Sequence, residues 1–368
     1  MIRVLHVLGG LNRGGAETMV VNLYKEIDRK TIQFDFIIHS NTEIEYVNQI
    51  KKLGGRVFLF PKFKGYNIIE YRKRWKNFFK LHPQYKILHS HIRSFASVYI
   101  PIAKSYGLKT IVHSHSTSNG SGIKSIIKDV LQKPLATQSD FLFSCSTEAG
   151  RWLFGENSLN KDNYYLIRNS IDVESYKYNQ NIRNEYRRQL NLENNTIYCH
   201  VGRLTKPKNH IFLLDVFKEI SKKERNSILI IVGEGEFRND IENKIRELKL
   251  QDKVIMMGSR DDVNKILQAA DVFLFPSLWE GLPVSVVEAQ ASGLPSLVSN
   301  RITKEVDITP CIKYLPIDQG IDVWVENAIK IKEERIISAA DLVKNAGYDI
   351  KNSANRLKTF YTNLNNSV

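Results

Sequence analysis

Two glutamates eight residues apart, Glu280 and Glu288, lie in the segment PSLWEGLPVSVVEAQASGLP, residues 276–295. The apolar run Val272-Phe273-Leu274-Phe275 before it is too short for a helix and reads as a buried strand. Pro283 suits a first helical position, Gly293 a position just past the end, and Ser296-Leu297-Val298 a return to strand. Glu280 then sits in the loop, and Glu288 sits inside the helix on the face of Val284, Val287 and Ala291. A carboxylate on a buried face is costly unless it is hydrogen-bonded. A sugar diol, donating two hydrogen bonds, satisfies Glu288. Glu280 also reads as a plain carboxylate complementing the helix dipole. The unpaired N–H groups of that helix start attract anions, with Gly281 and Leu282 leading into it and Gly281 letting a phosphate or sugar reach the backbone.

A second set follows a strand over Ile197–Val201, in the loop Gly202-Arg203-Leu204-Thr205-Lys206-Pro207-Lys208-Asn209. Arg203 and Lys208 can neutralise a diphosphate, one as a planar fork and the other as a point charge. Spacing alone leaves solvated loop charges an equal reading. Gly233 and Gly235 close the next strand, Ser227 to Val232, and permit close backbone approach. Arg260, after the run Val254–Met257, reads either as stacking on a base or as a surface arginine. Strand ends in the first half carry His89, His91, His113 and His115. For one of His113 and His115 a site role is expected. For His89 and His91, hydrogen-bonded packing beneath the site is the expectation.

The elements that hold these residues alternate strand with helix. In the first half, strands near 56–60, 86–89, 109–113 and 141–145 alternate with helical patterns near 43–53, 67–81, 95–106 and 124–136. That rhythm implies a parallel sheet covered on both faces, with ligands beyond the carboxyl ends of its strands. The chain opens with a strand over residues 2–8 and the loop Gly9-Gly10-Leu11-Asn12-Arg13-Gly14-Gly15, a phosphate-cradle candidate. A dinucleotide fold expects an acidic residue closing the second strand; here that strand ends in His39-Ser40. Two domains follow from the length of 368 residues. The division predicted is 1–177, 178–347 and a final helix, 348–368, crossing back to the first domain.

The 53 Lys and Arg outnumber 39 Asp and Glu, and the excess is local: residues 1–170 hold 25 basic against 12 acidic, the rest 28 against 27. An anionic surface as partner follows, either membrane or nucleic acid. Residues 62–80, KFKGYNIIEYRKRWKNFFK, place Ile68, Tyr71, Trp75 and Phe78/Phe79 on one side of a helix flanked by cations. This suits a membrane interface, or an ordinary helix with its aromatics on the sheet. No apolar run reaches spanning length, no signal-peptide pattern precedes the first strand, and three cysteines have no metal spacing. A cytoplasmic protein, peripheral on the inner face of the plasma membrane, is expected.

The glutamate segment resembles the signature of retaining GT-B glycosyltransferases of family 4. VGRLTKPKNH is similar to that family's diphosphate-binding motif, with Asn209 where Gly is common, and GGLNRGGAE to its opening loop. LHSH and VHSHS resemble its strand-end histidine motifs, with Ser116 where Asp is frequent; IRNSIDVESY resembles its inter-domain passage, with Ser170 where Gly is usual. The resemblance implies two Rossmann-like domains facing across a cleft and transfer of a sugar from a nucleotide diphosphate donor, UDP-linked, to a saccharide or lipid-linked acceptor in surface polysaccharide biosynthesis. It implies that Glu280 contacts the transferred sugar, Glu288 the ribose, Arg203 and Lys208 the diphosphate, and the Gly14-Gly15 backbone the donor phosphate or the acceptor. No Asp-x-Asp occurs, so neither a metal nor another cofactor is expected. Two rivals remain: a sugar-nucleotide epimerase of the same architecture, and a basic nucleic-acid-binding protein, for which no recognised module is present.

Overall fold

The computed structural model describes residues 1–11, 14–39, 46–117, 123–331 and 335–366. It divides into two units: 1–170 with 350–368, and 171–349.

The first unit holds a seven-stranded sheet, all neighbours parallel, in the order β3-β2-β1-β4-β5-β6-β7. The strands are β1 (Ile2–Leu8), β2 (Ile32–Ile38), β3 (Val57–Leu59), β4 (Ile87–Ser90), β5 (Lys109–Ser114), β6 (Phe141–Ser144) and β7 (Tyr164–Leu166). Apolar runs such as Val4–Leu8 and Phe34–Ile38 are buried throughout, except that Asp35 and His6 sit among them. This is the pattern of strands covered on both faces. One face packs on the helices Gly15–Glu26 and Ile350–Asn366, through Met19, Leu23, Leu357 and Tyr361. The other packs on Ile68–Leu81 and Ala96–Ser105.

The second unit repeats the plan with six parallel strands, in the order β10-β9-β8-β11-β12-β13. They are β8 (Thr196–Val201), β9 (Ser227–Val232), β10 (Val254–Gly258), β11 (Val272–Phe275), β12 (Ser296–Ser299) and β13 (Ile312–Leu315). In each unit the strand order reverses direction once, between β1 and β4 and between β8 and β11. At such a switch the loops leaving adjacent strands diverge and open a crevice at the carboxyl ends.

Some boundaries differ from the sequence reading. Residues 171–177 belong to the second unit, not the first, because Ile171 and Val173 are buried in its core and the Ile171 N–H bonds to the Tyr348 carbonyl at 2.9 Å. Tyr348 and Asp349 stay with it too, so the crossing helix starts at Ile350. The helical pattern near 124–136 is two helices, Ile123–Gln132 and Leu135–Gln138, parted at Pro134. The pattern over 322–345 is likewise Ile321–Lys330 and Ala339–Val343. Residues 43–45 of the expected second helix lie outside the described residues, where Val47–Lys52 is helical.

Candidate functional site

In the second unit the loops after β8 and β11 are tied together. The Leu278 N–H donates to the Pro207 carbonyl (2.7 Å), and the Asn209 amide donates to the Pro276 carbonyl (3.2 Å). This brings Lys208 Nζ to 2.6 Å from Glu280 Oε1, with the two side chains 14% and 15% exposed. The contact is between charges; Glu280 Oε1 is buried and has no aligned hydrogen-bond donor. Nζ also lies 4.6 Å from the centre of the Phe275 ring. Asn209, where glycine is common in the motif this loop resembles, is left-handed at φ 56°, ψ 45°. Glycine and asparagine are the residues that adopt that conformation at least cost, which accounts for the exchange. Arg203 points to solvent and has no side-chain partner among the described residues.

The helix after β11 runs Val284–Ala291, with Pro283 as its N-cap rather than its first residue. Gly293, at φ 62°, ends it. Val286, Val287, Ala289, Gln290 and Ala291 are all buried, so the helix is enclosed on more than the one face the spacing implied. Glu288 is half-buried and its Oε1 accepts a 2.9 Å hydrogen bond from the Tyr176 hydroxyl. Burial pushes its pKa up to about 6, against the lowering by that hydrogen bond. Leu282 is buried and Gly281 half-buried beside the helix start.

Gly233 and Gly235 serve the protein's own backbone first. A Cβ on Gly233 (φ 142°) would collide with the Gly202 carbonyl, and one on Gly235 with the Leu204 carbonyl. The loop after β9 can therefore lie flat on the loop carrying Arg203. Arg260 is tied at 2.7 and 2.8 Å to Asp262 and is exposed, which favours its surface reading over a stacking role. Sequence reasoning passed over two histidines beneath Lys208. His200 donates from Nδ1 to the Leu274 carbonyl at 2.8 Å, and its ring centre lies 4.7 Å from that of His210. Burial first, then Lys208, lowers His210 to about 4. Sequence reasoning also missed Tyr176, whose role rests on a contact 112 residues away in the chain.

In the first unit the loop after β1 leads to Gly14, the N-cap of Gly15–Glu26. Asn12 and Arg13 lie outside the described residues. The Glu17 carboxylate folds back over Gly14, whereas a Cβ on Gly15 would meet nothing within 4 Å among the described residues.

Beside that loop, five histidines from β1, β4, β5 and the segments after them form one stack. His6 lies opposite His89 in register. His6 Nδ1 is 3.0 Å from His91 Nε2, and His91 Nδ1 is 2.8 Å from His115 Nε2. His89 Nε2 is 3.3 Å from His113 Nδ1, and its Nδ1 is 2.6 Å from the Tyr361 hydroxyl. Burial lowers all five pKa values, His6 and His115 to about 3; Arg93 adds to the effect at His115. His113 is buried (1% exposed), whereas His115 is half-buried, so of the pair His115 is the one open to a ligand.

The helix Ile68–Leu81 does not present its aromatics to solvent. Tyr71, Trp75, Phe78 and Phe79 are buried in the core with Phe60 and Tyr99, and the cations Arg72, Lys73, Arg74, Lys76 and Lys80 face water. The expected membrane-facing side is therefore the sheet-facing side. Of the stripe only Ile68 is exposed; other exposed apolar side chains include Tyr66 before the helix, Ile69 and Leu81 at its two ends, and Ile126, Ile127 and Val130 on Ile123–Gln132. Among the described residues no helix is long and apolar enough to cross a membrane.

Two doubly wound parallel units, each with candidate residues at or beyond the carboxyl ends of its strands, define a GT-B fold. Comparison with known proteins agrees and is more specific. Residues 182–349 match the family described as "Glycosyl transferases group 1", and residues 13–175 match "Glycosyltransferase Family 4". A Bacillus subtilis (strain 168) protein under the glycosyltransferase name EpsF is 33% identical over 374 residues, covering 98% of this chain and 96% of its own. The Escherichia coli UDP-Gal:alpha-D-GlcNAc-diphosphoundecaprenol alpha-1,3-galactosyltransferase is 24% identical over 385 residues, covering 95% and 96%. Anabaena Alr3699/HepE, crystallised with UDP, superposes with a TM-score of 0.79 at 16% identity, covering 99% of this chain and 100% of its own. The chain belongs to the family 4 glycosyltransferases.

Proposed function

We propose that the protein moves a sugar from a UDP-sugar to a saccharide or lipid-linked saccharide, with retention at the anomeric carbon, in surface polysaccharide biosynthesis. The observation that carries this reading is the Lys208–Glu280 pair beside exposed Arg203, at the β8–β11 switch. Without donor each member of the pair neutralises the other. A diphosphate draws Lys208 and Arg203 to itself, and Glu280 is freed to accept hydrogen bonds from the sugar. Support for the donor comes from relatives: HepE binds UDP in its crystal, and the E. coli relative is named for a UDP-sugar donor and a lipid diphosphate acceptor.

In the proposed step the bond from the anomeric carbon to the phosphate oxygen breaks, and a bond to the acceptor oxygen forms on the same face. The acceptor proton passes to the departing diphosphate oxygen, so no protein nucleophile is needed. Arg203, Lys208 and the start of Val284–Ala291 stabilise the charge that develops on the diphosphate, where fixed electrostatics contribute most. Glu288 holds the ribose, and Gly281 and Leu282 flank the diphosphate. An epimerase reading lacks this use of Glu280 and needs no acceptor.

The exposed Ile126, Ile127 and Val130, with exposed Lys128 and Lys133, give the first unit an apolar, basic surface suited to an anionic membrane carrying the acceptor. A thermal-shift screen of UDP-, GDP- and ADP-sugars tests the donor. A true donor at 100 times its dissociation constant stabilises by about 2.7 kcal/mol. A screen in which no UDP-sugar raises the melting temperature overturns the reading. Sedimentation with anionic against neutral vesicles tests the surface; Ile127→Gln should cut pelleting while leaving donor binding intact, and equal pelleting with both vesicle types refutes it.

A further inference from the structure

We infer that the histidine stack in the first unit is a binding site for a borderline d-block dication such as Zn²⁺, held by His91, His113 and His115. Each of the three offers a ring nitrogen, and these nitrogens lie within 4.8 Å of one another. Nothing in the proposed transfer step uses them together. The inference is independent of the donor and acceptor.

The hydrogen bonds around the triad set it up as a ligand set. If His91 Nε2–H donates to His6 Nδ1, 3.0 Å away, then His91 Nδ1 presents a lone pair toward His115 Nε2 at 2.8 Å. His115 Nδ1 and the side-chain oxygen of Asn169 are buried with no aligned hydrogen-bond partner among the described residues, and Asn169 lies within hydrogen-bonding influence of that ring. Without an ion, His115 Nε2–H donates to His91 Nδ1 across the 2.8 Å contact. When an ion displaces that hydrogen bond, the His115 proton shifts to Nδ1, directed at Asn169, and leaves Nε2 as the second lone pair. Metal-bound histidines usually donate their other N–H to an acceptor that fixes the tautomer. His6 and Asn169 are such acceptors, already in place. Two nitrogens each 2.0–2.1 Å from a tetrahedral ion stand about 3.3 Å apart. His91 and His115 therefore need to part by only about half an ångström.

His113 supplies the third nitrogen, its ring 4.1 Å from that of His115 and its Nδ1 3.3 Å from His89 Nε2. The stack continues through His89 to the Tyr361 hydroxyl, which anchors it to the crossing helix. His91 and His115 are half-buried, so an ion can enter from their side, while His6, His89 and His113 are closed. Neutral imidazoles are the form that ligates, and three imidazoles select zinc, copper, nickel or cobalt over magnesium or manganese. The missing Asp-x-Asp excludes a different kind of site, one built from carboxylates for a hard ion.

The test uses untagged full-length protein stripped with chelator. Zinc titrated into it should bind at one equivalent by calorimetry. Co²⁺ should give the visible absorption of a tetrahedral nitrogen site. His91→Ala and His113→Ala should each weaken zinc binding by at least about ten-fold, the loss typical even of outer partners. His82→Gln, a half-exposed histidine outside the stack, should leave the isotherm unchanged. Circular dichroism separates a lost site from a lost fold. Should His91→Ala unfold, Asn169→Leu, outside the ligand set, should still weaken binding and alter the cobalt spectrum. No zinc uptake by folded wild type, or uptake equal in wild type and a folded His91→Ala, overturns the inference.

Discussion

Glu288→Gln should make the unliganded protein more stable and less able to bind nucleotide. In the folded chain the Glu288 pKa is raised from 4.5 to about 6, so at neutral pH a charged carboxylate sits where burial disfavours charge. A raised carboxylate pKa means the folded state holds a proton that the unfolded state has released. That contribution is complete below pH 4.5 and is lost as pH rises through 6. At pH 8 the loss amounts to about 2 kcal/mol. Gln removes the charge and keeps an oxygen to accept from Tyr176, now 2.9 Å from Oε1. Urea denaturation of wild type and variant from pH 4.5 to 8 isolates the effect, because every other titrating group cancels in the difference. The variant should gain about 2 kcal/mol at pH 8, and the gain should fade toward pH 4.5 with a midpoint of about 5.3, halfway between the unfolded and folded pKa values. In a unit of this size that is a rise of about 4–8 °C in melting temperature. Calorimetric titration with UDP at pH 8 should show weaker binding by the same variant. A variant that is less stable than wild type at pH 8 would refute the reasoning and make Glu288 a plain partner of Tyr176. A variant of unchanged UDP affinity would remove the ribose role while leaving the electrostatics standing.

Arg203→Ala and Lys208→Ala should each lower turnover at saturating donor by about 10²–10³, the loss expected for one charge-stabilising group; steady-state assays with near wild-type turnover dismiss the assignment. Lys208→Ala alone should also cost stability, because it leaves Glu280 half-buried without its cation, and a denaturation curve matching that of Arg203→Ala would contradict this. Gly235→Ala should destabilise the second unit by driving a Cβ into the Leu204 carbonyl, while Gly15→Ala should leave the melting temperature unchanged and raise the acceptor KM. Acid should weaken the fold from pH 6.5 downward: His6, His39, His89, His91, His113 and His115 are held neutral by burial, their stability is present above 6.5, and each adds up to about 1.4 kcal/mol per pH unit of loss as pH falls. An unfolding free energy flat between pH 6.5 and 5 would contradict that.

The parallel units were legible because their strands are short apolar runs and the chain repeats strand, loop and helix. Two end strands escaped notice. Tyr164–Leu166 is half-buried with no long apolar run, and Ile312–Leu315 alternates because it sits at a sheet edge. The Lys208 and Glu280 loops were legible as charges beyond strand ends, but their direct pairing was not. Pairing needs β8 and β11 to be neighbours, and strand order is a long-range property that local pattern does not carry. The same limit hid Tyr176 and His6. A tyrosine in a polar passage and a histidine inside IRVLHVL carry no local signal of a partner. His6 meets its stack only because β1 pairs with β4.

Residues 62–80 show the converse. Their amphipathic pattern was real, and its direction was not fixed by it. A basic helix with an aromatic stripe covers a sheet or meets a membrane with the same periodicity, and the burial of Trp75 and Tyr71 at 0% exposure decides for the sheet. The glycines make a related point. Glycine beyond a strand signals close approach, but not by what. At Gly233 and Gly235 the approaching group is the neighbouring loop's carbonyl; at Gly15 it is open space; at Gly14 it is the Glu17 carboxylate. At Gly15, as at Gly9, close approach remains open among the described residues, whereas at Gly14, Gly233 and Gly235 the protein itself fills the space.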